Sequence, residues 1–245
     1  MEFLRELTSW LADPTHWTGP DGMLPRLGEH VALSALPLAL ATAIALPIGL
    51  AIGHTGRGAA ASIGVANLGR ALPTLGILGM ILPLTANIHP YGFDLIPSTI
   101  ALVALAIPPI VTNTYAGLRG VDPELVEAGR GMGMREGELL RVVEVPIALP
   151  AILAGLRISA VQVVATATLA AVLGAGGLGR LIIDGIAQQD DAQLFAGAAL
   201  VALLAISTEL LFAQLQRAVV SRGVRLATAS SAPELTGEAG RAPGT

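Results

Sequence analysis

The sequence predicts an all-α integral membrane protein with about five transmembrane helices. Its mean hydropathy is +0.70, and 13% of its 245 residues are charged, which is about half the charged fraction of a soluble domain. The apolar residues form long blocks without a charged side chain, at 31–53, 71–93, 95–118, 158–179 and 192–208. About 20 consecutive apolar residues cross the hydrocarbon core of a bilayer, so each block is expected to form or contain a span.

The predicted spans cover about residues 30–53, 64–86, 98–118, 151–173 and 193–216. With five spans the connecting loops alternate between the two sides of the membrane. Eight arginines then fall on the side of the long polar loop at 119–149, against three on the other side. Because cytoplasmic loops are enriched in arginine and lysine, this loop and the C-terminus are predicted to lie in the cytoplasm and the N-terminus outside.

The two ends of the chain differ from the membrane domain, which is assigned to residues 29–217. The external segment 1–28 is expected to contain an interfacial helix, because apolar residues recur at helical spacing and tryptophan favours the headgroup region. These apolar residues are Phe3, Leu4, Leu7, Trp10 and Leu11. The cytoplasmic tail at 218–245 is rich in small and polar residues and is expected to be mostly disordered.

Composition excludes several kinds of chemistry. The chain has no cysteine, and all fourteen of its lysine-or-arginine positions are arginine. A phosphate-binding loop of the Walker A type needs a lysine, so any ATP used with this protein would be bound by another chain. The four histidines are scattered along the sequence, and no metal site or cofactor is expected. Nothing in the net charge of −4 favours binding to nucleic acid.

The loop at 119–149 is predicted to fold as two short amphipathic helices. Asp122 and Pro123 are typical of a helix start, and Gly131 and Gly133 are predicted to end the first helix. The expected apolar face of that helix consists of Leu125, Val126, Ala128, Gly129 and Met132, and the opposite face of Glu124, Glu127 and Arg130.

A second loop helix is predicted at about 135–144, with Pro146 ending it. Its expected apolar side contains Leu139, Leu140, Val142 and Val143, and its charged side contains Glu138, Arg141 and Glu144. Amphipathicity alone leaves two interpretations. The helices either rest on lipid headgroups, or they form a docking element for a cytoplasmic partner.

The loop resembles the EAA loop of permease subunits from bacterial ABC importers. That motif has Glu-Ala-Ala, a glycine four residues after the last alanine, and then apolar-x-apolar-Pro. The matching residues here are Glu127, Ala128, Gly129, Gly133, Val143, Val145 and Pro146. Gly129 replaces the usual second alanine, at a cost in helix propensity of about 1 kcal/mol, and the two valines replace the usual isoleucine and leucine.

Other segments extend the resemblance over about residues 30–217. "NTYAGLRGVDPELVEAGRGMGM" and "VPIALPAILAGLRISAV" are similar to the glycine betaine/carnitine/choline branch of these permeases. "RALP" in the second span and "GAGGLG" after the fourth fit the wider importer group, including methionine-type permeases.

The resemblance implies a type I ABC importer permease of the methionine and molybdate kind, which is not itself an enzyme. A separate ATPase subunit would dock on the loop, an external substrate-binding protein would deliver the solute, and a second permease copy or a paralogue would complete the pathway. The implied substrate is glycine betaine or a related quaternary ammonium osmoprotectant. An amino-acid permease, such as one for methionine, remains an alternative.

A secondary transporter driven by an ion gradient is the alternative from a different class. Such proteins usually place ionisable groups inside their spans. The interiors of the predicted spans contain no aspartate, and Glu209 is their only carboxylate.

The sequence offers two further candidate sites. Gly174, Gly176 and Gly179 satisfy G-x-G-x-x-G, but a dinucleotide site needs a preceding strand. A flexible external turn that also includes Gly177 is predicted instead. Arg70, Pro73 and Asn113 are candidate pathway or gate residues. Arg157, close to the cytoplasmic end of the fourth span, is expected to extend its side chain to the membrane surface.

Overall fold

The computed structural model of the chain describes residues 1–60, 63–64 and 73–220, and every regular element in this part is a helix. Within these residues, four helical segments are long and apolar enough to cross a membrane: Met23–Thr55, Leu95–Arg119, Glu136–Leu173 and Asp191–Val219. Thr74–Thr85 is a shorter apolar helix. The predicted all-α, multi-pass membrane architecture is confirmed.

The helices are numbered here in chain order. They are α1 (Glu2–Ala12), α2 (Met23–Thr55), α3 (Thr74–Thr85), α4 (Leu95–Arg119), α5 (Pro123–Gly131), α6 (Glu136–Leu139), α7 (Val145–Thr166), α8 (Leu178–Gln188) and α9 (Asp191–Val219). Short 3₁₀ segments follow α1 at Pro14–His16 and α7 at Ala167–Leu173, and a π-helical turn, Leu140–Glu144, joins α6 to α7.

The centre of the bundle is formed by α2, α4 and α7, and small residues let their backbones approach closely. Ala41, Ala45 and Ala106 are completely buried there. A Cβ atom at Gly49 of α2 would lie 2.7 Å from Cβ of Thr114 in α4. One at Gly155 of α7 would lie 2.8 Å from the carbonyl oxygen of Pro109 in α4. Lipid tails are as apolar as the helix side chains, so no hydrophobic effect drives helices together inside a membrane. Helices in lipid therefore associate through such close packing.

Two polar contacts join the spans away from their ends. The buried Ser159 hydroxyl of α7 donates a hydrogen bond of 2.8 Å to the Ala106 carbonyl of α4. Arg157 of α7 forms an ion pair of 3.2 Å with Glu209 of α9. The prediction that Arg157 only extends to the membrane surface missed this partner, because sequence spacing does not show which helix faces α7.

The bundle has two distinct ends. At the first, the turn end, Glu29 of α2 meets Gly177, and His30 Nε2 donates to the Val164 carbonyl at 2.9 Å. That carbonyl lies where α7 gives way to the 3₁₀ segment. At the second, the loop end, His54 in the last turn of α2 meets Glu144. At the turn end, the α1 helix also packs on the start of α9, where the rings of Phe3 and Phe195 meet edge to face at 5.5 Å.

Two predicted helix boundaries are wrong. Pro146 does not end a loop helix, because the chain stays helical from Glu136 to Leu173. In the π-helical turn Val145 N–H donates to the Leu140 carbonyl, five residues back. Pro146 directly follows this turn, in which the i→i−4 hydrogen bonds that a proline would interrupt are already replaced.

The second boundary concerns the predicted span at 64–86. Pro73 has extended backbone angles, φ −61° and ψ 129°, and directly precedes α3, so this stretch is not one uninterrupted helix. Arg70 and the greater part of the stretch before Pro73 lie outside the described residues. The same is true of the tail from 221 onward.

The close packing of α4 on α7 gives a test with a matched control. Alanine at Gly155 would bring a methyl group within 2.8 Å of Pro109 O, so we expect Gly155→Ala to lower the thermal stability of the detergent-purified protein. At Gly79 of α3, by contrast, an added methyl group would have no neighbouring atom within 4 Å. Gly79→Ala should therefore be neutral or stabilise by up to about 1 kcal/mol. Equal unfolding temperatures for the two variants would contradict the packing argument.

Candidate functional site: the helical loop at residues 119–149

The first loop helix, α5, begins and ends with local hydrogen bonds. The Asp122 carboxylate accepts the Glu124 N–H at 2.9 Å, and Pro123 occupies the first helical position. At the other end Gly133 N–H donates to Arg130 O, and Met134 N–H donates to Gly129 O. Gly133 has φ +87°, so this is a Schellman turn, in which glycine avoids the strain of the left-handed conformation.

A buried leucine holds α5 against α6. Leu139 has no exposed surface, and a Cβ at Gly129 would lie 2.7 Å from Leu139 Cδ1. Glycine at 129 therefore leaves room for Leu139 to pack against the backbone of α5. This contact explains why glycine stands where the EAA pattern has its second alanine.

An ion pair joins the two helices of the loop. Arg130 donates two hydrogen bonds to Glu136 in α6, from Nε at 3.0 Å and from the guanidinium NH2 at 3.1 Å. These bonds raise the pKa of the Arg130 guanidinium above its usual value. The two bonds form a bidentate pair, a geometry that strengthens the contact between an arginine and a carboxylate.

His54 of α2 lies between two carboxylates of the loop. Its Nδ1 is 2.6 Å from Glu144 Oε2, and its Nε2 is 3.1 Å from Glu136 Oε2. Glu144 is only 5% exposed, so its prediction as part of an exposed charged face is wrong. The π-helical turn at Leu140–Glu144 changes the helical phase and turns this side chain inward. We call His54, Glu136, Glu144 and Arg130 the loop-end ion cluster.

Sequence reasoning missed the loop-end ion cluster because its members lie on separate helices. The available signal was the position of His54 at the end of the first predicted span, on the same predicted side of the membrane as the carboxylate-rich loop at 119–149. In the described part of the chain no group of three or more histidine or acidic side chains could hold a metal ion.

Much of the predicted apolar face of the loop is exposed. The exposed fractions are 49% for Leu125, 73% for Met132 and 60% for Val142. The EAA-matching residues Glu127, Ala128 and Pro146 are also exposed, whereas Val143 and Val145 are half-buried and Gly129 is buried. The loop is therefore a folded platform whose apolar and acidic side chains are both accessible at the loop end.

The candidate pathway residues are not brought together in the described part of the chain. Pro73 is exposed ahead of α3. Asn113 of α4 donates its side-chain N–H to the Pro109 carbonyl in its own helix at 2.8 Å. Its Cβ lies opposite Gly155 of α7, which places this residue in a helix-packing contact.

The glycine turn after α7 is tightly packed rather than loose. Gly174 and Gly177 have positive φ, +90° and +84°. The Gly177 N–H donates to Glu29 Oε2 at 2.7 Å, and Arg26 donates to the same oxygen at 2.9 Å. Gly176 lies against the Glu29 carboxylate, and Gly179 lies against the Thr168 carbonyl, so a side chain at either position would collide.

Comparison with known proteins agrees with this architecture. The model of the family "binding-protein-dependent transport system inner membrane component" matches residues 43–224. The chain is 36% identical over 203 residues to the glycine betaine/carnitine/choline transport system permease protein OpuCB of Bacillus subtilis (strain 168), covering 83% of this chain and 91% of that protein. It is 38% identical over 197 residues to the osmoprotectant import permease protein OsmW of Salmonella typhimurium, covering 80% and 91%.

The fold also matches solved structures. A solved structure of the MetNI methionine ABC transporter in an inward-facing conformation superposes with a TM-score of 0.74 at 24% identity, covering 86% of this chain and all of that one. The helical bundle with its folded loop thus defines a membrane permease subunit of a type I ABC importer. The chain belongs to the family of binding-protein-dependent transport system inner membrane components.

The turn at Gly133 provides a test of the loop geometry. A β-branched residue is strongly disfavoured at φ +87°, so we expect Gly133→Val to change the angle between α5 and α6 while the spans still insert. Gly131→Val is the matched control, because Gly131 is helical and exposed. Limited proteolysis of membranes should cut the loop faster only in Gly133→Val. Equal cleavage of both variants would show that the left-handed turn is not required.

Proposed function

We propose that this permease imports glycine betaine or a related quaternary ammonium osmoprotectant, using ATP hydrolysed on a separate partner chain. The observation that carries the substrate class is the similarity of about four-fifths of the chain to permeases named for these solutes. The sequence has no lysine, which supports the assignment of ATP binding to another subunit.

We assign the loop at residues 119–149 as the docking site of the ATPase subunit. Leu125 and Met132 expose apolar surface on the loop, and Glu127 is exposed on the same helix, α5. A partner that covered this helix would remove apolar area from water and meet a negative charge. The internal contacts of the loop, through Leu139 and Glu136, leave these side chains accessible.

The orientation follows from the positive-inside rule. The loop end, with Arg119, Arg130, Arg135 and Arg141, faces the cytoplasm, where ATP is available. The turn end, with α1, α8 and the glycine turn, then faces outward towards a substrate-binding protein. The exposed apolar residues of α3 and α9, such as Met80 and Leu211, lie against lipid or a second permease subunit.

The chain itself contributes little to selecting the solute. Quaternary ammonium groups are usually bound in aromatic cages, and only 3% of the residues are aromatic. A weak site for passage, with selectivity residing in the binding protein, fits this composition. The alternative is import of an amino acid such as methionine, for which the fold shared with MetNI is the supporting observation.

A charge reversal tests the docking assignment. Glu127 is exposed, and exposed pairs within a helix contribute only about 0.2–0.5 kcal/mol, so Glu127→Lys should fold normally. We expect it to weaken copurification of the ATPase and to lower ATP-dependent uptake. Glu6→Lys, an exposed change on α1 at the opposite end, serves as the control for copurification of the ATPase. Normal uptake and normal copurification in Glu127→Lys would argue against docking at this residue.

The substrate is tested by reconstituting the complete complex in liposomes, with ATP inside and labelled glycine betaine outside. We expect uptake that requires ATP and is reduced by unlabelled choline or carnitine. Uptake of methionine but not of betaine would overturn the substrate assignment and leave the permease assignment intact. Betaine uptake that follows an ion gradient without ATP would overturn the proposed energy source.

A further inference from the structure

We propose that His54 is a positioning residue that, as an imidazolium, holds the loop at 119–149 onto the end of the first span. It would thereby link movement of the ATPase-docking loop to movement of α2. This inference rests on the proposed function, because it concerns how binding at the loop reaches the spans. The backbone already joins α6 of the loop to α7. The contacts of His54 would add a second connection, from the loop to α2.

The protonation state follows from the partners of the two ring nitrogens. Nδ1 faces Glu144 at 2.6 Å, and Nε2 faces Glu136 at 3.1 Å. An ionised carboxylate only accepts hydrogen bonds, so each nitrogen must carry a proton to bond with its partner. The ring that satisfies both contacts is the positively charged imidazolium.

Burial makes the contact with Glu144 the stronger of the two. The side chain of Glu144 is 7% exposed and that of His54 is 13% exposed, whereas that of Glu136 is 60% exposed. A carboxylate removed from water is strongly destabilised unless a cation and hydrogen bonds compensate it. In the described part of the chain, His54 is the only ion-pair partner of Glu144.

The surrounding charges balance within the loop-end ion cluster. Glu136 is shared between His54 and Arg130, so two carboxylates face two cations. Another cation is close to the end of α2, because the Arg119 guanidinium approaches Gly56. Loss of the proton from His54 would leave one excess negative charge in the cluster, next to the buried Glu144.

The placement of the cluster connects three parts of the molecule. His54 belongs to the last turn of α2, whose preceding turns pack tightly on α4 through Gly49 and Gly53. Glu144 ends the π-helical turn that continues directly into α7. A displacement of the loop is therefore transmitted to α7 through the backbone, and to α2 and α4 through the imidazolium.

The experiment measures solute taken up per ATP hydrolysed by the complete complex in liposomes. We expect His54→Gln to retain the ATPase subunit but to lower this ratio about tenfold, within the usual range of coupling between two sites. His54→Arg, which keeps a permanent charge and several donors, should restore most of the ratio. His89→Gln, an exposed histidine at the opposite end of the bundle, is the matched control and should equal wild type.

Rescue by arginine separates a charged link from a merely structural side chain. A His54→Arg ratio as low as that of His54→Gln would overturn the proposal.

A double variant keeps the proposal testable if the single variant assembles poorly. Glu144→Gln removes the buried charge, so His54→Gln combined with Glu144→Gln should be no worse than either single change. Additive losses would show that the residues act independently and would overturn the inference.

The proposed function has a separate criterion. It fails if the wild-type complex shows no ATP-driven uptake, whereas the inference fails if wild type transports and His54→Gln transports equally well.

Discussion

The structure depends on the close approach of α2, α4 and α7, which small residues make possible. A lipid bilayer supplies no hydrophobic force to bring apolar helices together, so their association relies on packing and a few hydrogen bonds. Gly49 and Gly155 let the neighbouring helices come within van der Waals distance, and Ser159 adds a buried hydrogen bond to α4. This central contact fixes the positions of the helix ends, and with them the loop and the glycine turn.

Apart from the Arg157–Glu209 pair between α7 and α9, the charged interactions of the described residues lie at the two ends of the bundle. At the turn end Glu29 accepts hydrogen bonds from Gly177 and Arg26. At the loop end His54 lies between Glu144 and Glu136. Between them the core of α2, α4 and α7 is apolar, where an unpaired charge would be costly. Ionic contacts can rearrange when a soluble partner binds, while the tightly packed centre resists change.

The loop shows where sequence periodicity succeeds and where it fails. Asp122, Pro123 and Gly133 act locally, through a cap, a helix start and a left-handed turn, and α5 has the bounds that these residues suggest. Pro146 was expected to end a helix for an equally local reason. The π-helical turn ahead of it changes the hydrogen-bond register, and the helix continues into α7. The same change of register turns Glu144 towards His54 and away from water, which a helical wheel with a constant angle cannot show.

The sequence by itself determined the membrane class, the long spans and the folded loop, because these depend on hydropathy, spacing and local turn chemistry. It also excluded a Walker A phosphate-binding loop from this sequence, because there is no lysine. Only the tertiary structure decided the pairing of Arg157 with Glu209, of Glu29 with Gly177 and of His54 with Glu144. Each pair joins residues far apart in the chain, and their contact depends on which helix faces which. Helix packing decides which helices face each other, and the hydrophobic pattern of a single helix does not show this.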